Sequence, residues 1–468
     1  MGLASLLSVG CTAIPVDGVF VNRSSKALQQ IENAVVMSPS ERWAPVRAAQ
    51  APFCPGIADD TRSVVVPRLE RPALGVPFDD PVFGARVQRI TAARPGEVFK
   101  PAYSTVQAWN ADESLLLLYR GGLDPAHVLL DGRTYAFISE LDIDPSDVEE
   151  VWWSHADPRA LHYVSKARQH FGHLRRLDVS TGRATTLVDL SGECGQALPT
   201  GGGDVQMPSH DDDLFGFRCR DSGGDTRMLT WRASTDELTV QPLGKGTPWD
   251  PWTAPAPSPR GDAVWLQGRV LETDLRTERL RHDVHKASEH ASIGLAGDGG
   301  AALFATAFDP SPGGCDGDPA DGVGHLVMHR FDDGSCRSLV NEAAGYPYTT
   351  SGTHVSALAS GRPGRVAMSS VGYGRLGLLD DTRAAPALFS EIYLVDAGTP
   401  QTGGARVCRL THHRSHGKSA RNAAYQPYFG EPHVTISPSG TRVLFGSDWH
   451  DSGAVDSYVI ELPGDAGG

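Results

Sequence analysis

Seven times along this chain the same unit returns: a short strand, a turn built from Ser, Asn, Pro, Asp or Gly, an apolar second strand, and a hairpin with a polar outer strand. The first unit runs Val106 to Ser114 and then Leu115 to Tyr119. The second has Val151 to Ser154 before Leu161 to Val164. The third passes through Met207 to Asp213 into Leu214 to Phe217, and the fourth has Pro257 to Asp262 before Ala263 to Leu266. The fifth and sixth pair Glu289 to Ile293 with Ala301 to Phe304, and Thr353 to Ala357 with Val366 to Met368. The seventh reads Glu431 to Ile436, the turn Ser437-Pro438-Ser439-Gly440, then Val443 to Phe445. Proline sets φ in such a turn and glycine takes its left-handed corner.

Repeated supersecondary units decide a fold before any single residue does. The pattern predicts an all-β chain, a seven-bladed β-propeller with four antiparallel strands per blade around a channel. A pair of β-sandwiches is the competing architecture, disfavoured because one unit recurs throughout. Blade seven has about three strands before Leu462, while Val87 to Thr91 precedes blade one and resembles the outer strand Val407 to Thr411 of blade six. Val87 to Thr91 is therefore expected to pair with Ser457 to Leu462 and close the ring. Gly 52 and Pro 33 fit many short strands joined by turns.

The boundaries expected are 1–11 as a signal remnant, 12–74 as a linker or irregular arm with one helix candidate at Ala27 to Val36, and 75–465 as the propeller. Met1 to Gly10 is small and apolar and ends at Cys11, like the tail of a lipoprotein signal, although it lacks a basic start and has Ser8 where leucine is usual. It is too short to span a bilayer. The expectation is an exported protein, periplasmic or anchored to the outer membrane, touching the membrane only through a lipid on Cys11. Without Cys11, six of the seven cysteines remain, enough for three bridges. Cys194 with Cys219 and Cys315 with Cys336 lie within or between adjacent hairpins, leaving Cys54 with Cys408. Buried free thiols in a cytosolic protein are the alternative.

A formal net charge of −14 argues against nucleic acid as a partner. An anionic ligand needs a local basic patch, and the stretch from His412 to Arg421 is the candidate. Three successive units share His-x-Ser/Thr: His290-Ala291-Ser292, His354-Val355-Ser356 and His433-Val434-Thr435. Equivalent positions on adjacent blades converge at the channel mouth, so three imidazoles there form a candidate divalent-metal site, with Glu289 and Glu431 able to add carboxylates. Hydrogen bonding of each histidine to backbone at a blade junction is the structural alternative.

His354, Glu431-Pro432-His433 ahead of the Ser-Pro-x-Gly turn, and the tail Phe445-Gly446-Ser447-Asp448 resemble oligogalacturonate lyases, and touch that family again at His290. Ulvan lyases are an equally fair comparison, and the Ser-Pro-x-Gly turns are similar to those of TolB-type propellers. The resemblance implies a seven-bladed polysaccharide lyase with a divalent ion (Mn, Zn or Ca) at the channel mouth. His354 and His433 match ligand positions. Glu431 stands where the family has another histidine, and Gln426 lies near its glutamine. The family's arginine base has no counterpart at Ala256-Pro257-Ser258-Pro259.

Such a lyase works by β-elimination on a uronic-acid polymer. A cation neutralises the carboxylate, a base removes the proton α to it, and the 4-linked oxygen leaves. Arg414, Lys418 and Arg421 are candidates to hold the carboxylate. His412, His413, His416, Tyr425 and Tyr428 are candidate acid or base groups, and Trp152, Trp153, Trp249, Trp252 and Trp449 are candidates to stack on sugars. The expected partner is an anionic polysaccharide or oligosaccharide, and the expected state a monomer. The rival function is a non-catalytic, lipid-anchored propeller binding a cell-surface glycan or protein; a metallohydrolase is a third reading. Fold alone does not separate them.

Overall fold

The computed structural model describes residues 54–122, 124–195, 198–200, 206–243, 254–282, 290–307, 315, 325–346, 353–371, 384–398, 404–416 and 427–462. The signal-like residues 1–11 with Cys11, and the helix candidate Ala27 to Val36, lie outside them.

Seven antiparallel sheets follow one another along the chain. Blade 1 is Val98–Lys100, Leu115–Gly121, Ala126–Asp131 and Phe137–Glu140. Blade 2 is Val151–Trp153, Ala160–Val164, His173–Asp178 and Arg183–Asp189. Blade 3 has Leu214–Arg220, Thr226–Arg232 and Glu237–Pro242, with Pro208 bridging Phe215 on the inner edge. Blade 4 is Ala256–Pro257, Val264–Leu266, Arg269–Leu271 and Glu278–Arg281. Blade 5 is Ala291–Leu295, Ala301–Ala307, His325–Arg330 and Cys336–Val340. Blade 6 comprises His354–Ser356, Arg365–Ser369, Glu391–Asp396 and Arg406–His412. Blade 7 comprises Thr435–Ile436, Arg442–Ser447, Asp456–Glu461 and Arg86–Arg89.

The ring closes where the repeat said it must. Tyr458 pairs with Arg89, Val459 with Gln88 and Ile460 with Val87. The last blade thus takes its fourth strand from the start of the chain. A buried ion pair reinforces the seam: Arg442 contacts Glu113, which also accepts from the backbone N–H of Ser439.

Blades pack face to face, so a second strand is buried on both sides. This is why the strand Leu115–Gly121 opens with a continuous apolar run, Leu115 to Tyr119, rather than an alternating one. The inner strands are stitched by the Ser/Thr of the repeated motif. Ser292 Oγ accepts from Ala357 N–H at 3.0 Å and Ser356 Oγ accepts from Ile436 N–H at 3.2 Å, each across one blade junction. Approach here is so close that a Cβ on Gly294 would collide with the Ala357 carbonyl. Two glutamines cross the axis. Gln107 donates to Ile436 O at 2.9 Å, and Gln206 donates to Ile293 O at 2.7 Å while accepting from Ile293 N–H.

Residues 54–84 are laid across blades 6 and 7. Ile57–Ala58 adds a fifth strand to blade 6 beside Arg409 and Cys408, and Phe78–Asp79 adds a fifth to blade 7. Val64–Val65 pairs with Ala384–Ala385. Three disulfides form: Cys54–Cys408, which ties this strap down, Cys194–Cys219 and Cys315–Cys336, with Cα separations of 5.3, 5.3 and 4.6 Å. Among the described residues no helix is long and apolar enough to cross a membrane.

Under the strap, Arg409 grips Glu391 with two bonds of 2.8 and 2.6 Å and donates to the carbonyl oxygens of Asp60 and Arg62. Burial pushes the Glu391 carboxyl up to about 7 even against this guanidinium. Removing one member of a buried pair strands the other charge. Arg409→Ala is therefore expected to cost about 3–5 kcal/mol of stability in denaturant unfolding. A loss below about 1 kcal/mol would show that the strap is not held this way.

Candidate metal centre

The mouth at the N-terminal ends of the inner strands is built by three consecutive blades. His354 opens the inner strand of blade 6, His290 directly precedes that of blade 5, and His433 stands two residues before that of blade 7. His290 and His433 have φ of +55° and +41°. Left-handed backbone at non-glycine residues costs free energy and concentrates at functional sites.

The rings converge as the repeat alignment expects. His354 and His433 have centroids 4.5 Å apart, and His290 and His354 5.2 Å. Glu431 sits between two of them, its Oε2 lying 3.2 Å from His354 Nε2 and 3.6 Å from His433 Nε2. One donor atom from each of His354, Glu431 and His433 falls within 4.8 Å of the others, the spread of ligands around a single ion. His290 lies beside this group and outside it.

The donor set fits a divalent cation. Both central imidazoles are fully buried, and burial drives the His354 pKa down to about 4 and that of His433 well below its usual value, so each ring is a neutral ligand. Burial opposes ionisation of Glu431 as well, but the two imidazoles beside it prevail and hold its carboxyl below the ordinary range. His354 Nε2 is buried and faces the carboxylate. Its Nδ1 lies 3.4 Å from Ser369 Oγ, an outer partner able to fix the ring.

Blade 1 supplies residues that the repeat pattern did not point to. Lys100, fully buried, contacts His433 Nδ1 through its ammonium group. The same group lies 4.8 Å from the Tyr428 ring centroid and 5.4 Å from that of Phe429. Tyr103 sets its hydroxyl 3.4 Å from His290 Nδ1 and its ring edge-on to His433 at 4.9 Å. Tyr428 packs on His433 at 4.5 Å and donates its hydroxyl to Glu149. A lone lysine within the otherwise apolar Val98-Phe99-Lys100-Pro101 was the available signal, because a lysine drawn into the interior almost always has partners there.

The basic stretch expected to supply groups for an anionic substrate is folded inward over its described part. His412, His413 and Arg414 are fully buried. His413 donates from Nε2 to Ser370 O at 2.9 Å and accepts at Nδ1 from Ser415 N–H, so backbone satisfies both nitrogens. Burial lowers its pKa to about 3 and that of His412 well below the usual value. His412 lies on Phe83, 5.0 Å between rings, and Arg414 donates to Pro67 O at 2.7 Å. His412 and Arg414 thus contact the strap, whereas His413 is held by blade 6. His416 is half-buried beside His450, with rings 5.3 Å apart.

Trp152, Trp153 and Trp449 are buried, the last two donating to Ala108 O and Leu69 O, and Trp152 and Trp153 line a small cavity with His155 and His210. Glu289, Lys418, Arg421, Tyr425, Gln426, Trp249 and Trp252 lie outside the described residues. Of the expected site residues, the structure brings together His290, His354, His433, Glu431 and Tyr428.

No family model matches the chain, and no curated protein matches its sequence. Among solved structures, an oligogalacturonate lyase in complex with manganese superimposes with a TM-score of 0.51 at 18% identity, covering 86% of this chain and 99% of that one. An oligogalacturonate lyase from Vibrio parahaemolyticus matches with a TM-score of 0.51 at 16% identity, covering 83% and 96%. TolB from Acinetobacter baumannii also matches, with a TM-score of 0.30 at 13% identity, covering 78% and 63%. At such identities the likeness establishes the seven-bladed propeller.

Proposed function

We propose that this chain is a polysaccharide-acting propeller that cleaves a uronic-acid polymer or oligomer by metal-assisted β-elimination. The observation that carries the reading is the convergence of His354, Glu431 and His433 at the channel mouth, backed by a buried lysine. These three residues would hold a divalent ion, manganese, zinc or calcium, with His290 beside them. An ion bound there would supply an electrophile for the uronate carboxylate and acidify the proton α to it.

The chain's own groups account for the remaining needs. The Lys100 ammonium adds fixed positive charge in a water-poor pocket, where it acts more strongly than on a surface. Tyr103 and His290 stand within hydrogen-bond reach of one another and can pass a proton. Tyr428, held by Glu149, presents a ring edge to the site. The formal net charge of −14 disfavours nucleic acid, and Lys100 together with an ion held by the cluster would supply the positive charge that an anionic chain needs at the mouth.

The protein is read as a monomer. Its three disulfides fit an oxidising compartment, and with a lipid on Cys11 it would be a periplasmic or outer-membrane lipoprotein.

The test is a panel of uronic-acid polymers followed at the absorbance of the unsaturated uronate product, with and without chelator. A rise that chelator abolishes and added manganese restores is the expected result. Retention of a polymer with no absorbance change would replace the lyase with the glycan-binding alternative. Neither activity nor retention would overturn both.

A further inference from the structure

A second set of metal-capable side chains lies on the outer strands of blades 4 and 5, and shares no residue with the channel mouth. One donor atom from each of Cys315, His329 and Cys336 falls within 4.8 Å of the others. His329 and Cys336 face each other across the antiparallel pair of blade 5, and Cys315 joins them to form the disulfide. His282, which follows the outer strand of blade 4, completes the cluster with Nδ1 at 3.1 Å from His329 Nδ1. Both imidazoles are buried, at 0% and 5% exposure, against Trp265, whose ring lies 5.9 Å from His329 and 5.4 Å from His282.

A disulfide needs no imidazole beside it, and burying two rings is unfavourable unless their nitrogens are used. The hydrogen bonds specify how they are used. A carbonyl oxygen only accepts, so His282 Nε2, 3.2 Å from Arg330 O, carries a proton. In the neutral ring His282 Nδ1 then accepts, and His329 Nδ1 donates to it. In that tautomer His329 Nε2 carries the lone pair and lies 3.6 Å from Cys336 Sγ. Metal-bound histidines are characteristically oriented in this way, the far ring N–H donating to an outer partner.

The spacing also suits a tetrahedral ion. With Zn–S of about 2.3 Å and Zn–N of about 2.0–2.1 Å, a sulfur–nitrogen edge is about 3.6 Å and a sulfur–sulfur edge about 3.8 Å. The nitrogen already sits at that distance from Cys336 Sγ, and the two sulfurs must part to admit the ion.

We propose that Cys315, Cys336 and His329 form a redox-gated site for a thiophilic divalent cation such as Zn²⁺, with His282 as its positioning residue. A dithiol reduces the bridge, becoming a disulfide itself and delivering two electrons and two protons to the two cysteines. The cation then binds both sulfurs as thiolates and displaces those two protons, with His329 Nε2 as third ligand and water in the fourth position. In the oxidised chain the sulfurs are bonded to each other and the site is closed.

Cobalt(II) tests this in the full chain, because thiolate-to-cobalt charge transfer is distinct from binding at the histidine–glutamate mouth. Protein reduced with a water-soluble phosphine, which leaves as its oxide, is freed of reductant and titrated anaerobically. The expected result is one saturable charge-transfer band, absent before reduction and lost in Cys315→Ser. Affinity should fall about 10–100-fold in His282→Phe, as for loss of an outer partner, and at least as far in His329→Gln. If His329→Gln does not fold, His329→Cys should retain the band with added thiolate intensity. Absence of the band in reduced protein overturns the proposal. So does a band that survives Cys315→Ser, or one indifferent to both histidine substitutions.

Discussion

Alanine in place of both His354 and His433 is expected to abolish stoichiometric binding of a divalent ion at the channel mouth while the chain remains a propeller. The two rings supply the neutral nitrogens of the cluster, and Glu431 alone is one carboxylate at a partly open mouth. Both histidines are fully buried, so the substitutions also carry a stability cost, of about 1–3 kcal/mol each, through lost packing and the exposure of Lys100 to an emptied pocket. Binding should be read by calorimetry or by direct metal analysis after gel filtration, with near-ultraviolet circular dichroism reporting the fold. Retention of one ion per chain in the folded double variant would remove the site from these residues. If the lyase reading holds as well, the same variant loses the chelator-sensitive activity.

Acid should destabilise this protein earlier than its carboxylates alone would. Burial lowers the pKa of His127, His162 and His354 to about 4, and those of His210 and His413 to about 3. In the unfolded chain each titrates near 6.5. Between these values the unfolded state binds protons that the native state refuses, so stability is fully present above about pH 6.5 and falls as pH drops toward 4. A depression of about 2.5 units corresponds to roughly 3 kcal/mol for one histidine once pH has passed both values. The melting temperature is therefore expected to be nearly flat from pH 8 to 7 and to fall steeply between pH 6.5 and 4. A melting temperature unchanged down to pH 5 would mean that these rings are protonated in the native state.

Much of the scaffold was legible because it is written in local, repeated signals. The strand–turn–strand unit recurs at each blade, and the glycine of Ser437-Pro438-Ser439-Gly440 takes its left-handed corner with φ of +69°. The alignment of His290, His354 and His433 was visible for the same reason, since a repeat puts equivalent residues at equivalent heights. Their Ser/Thr partners proved to be structural, with Ser292 and Ser356 stitching inner strands together.

What the sequence by itself determined, then, is the blade count, the closure of Val87 onto Ile460, the three disulfide pairs and the meeting of histidines from three blades. The blade count, the closure and the meeting of histidines follow from a short-range pattern multiplied by symmetry, whereas Cys54 with Cys408 followed by elimination across 354 positions. Only the tertiary structure decided which charges are buried and what they face. Lys100 reaches His433 across 333 positions, and Tyr428 reaches Glu149 across 279. No local period encodes such contacts, because they arise where the last blade meets the first two. The basic run at His412 to Arg414 had the composition of a solvated loop, yet residues 54–84 cover it, and Pro67 O and Ser370 O satisfy groups that would otherwise need water. Composition describes a segment alone, whereas desolvation depends on what the rest of the chain lays over it.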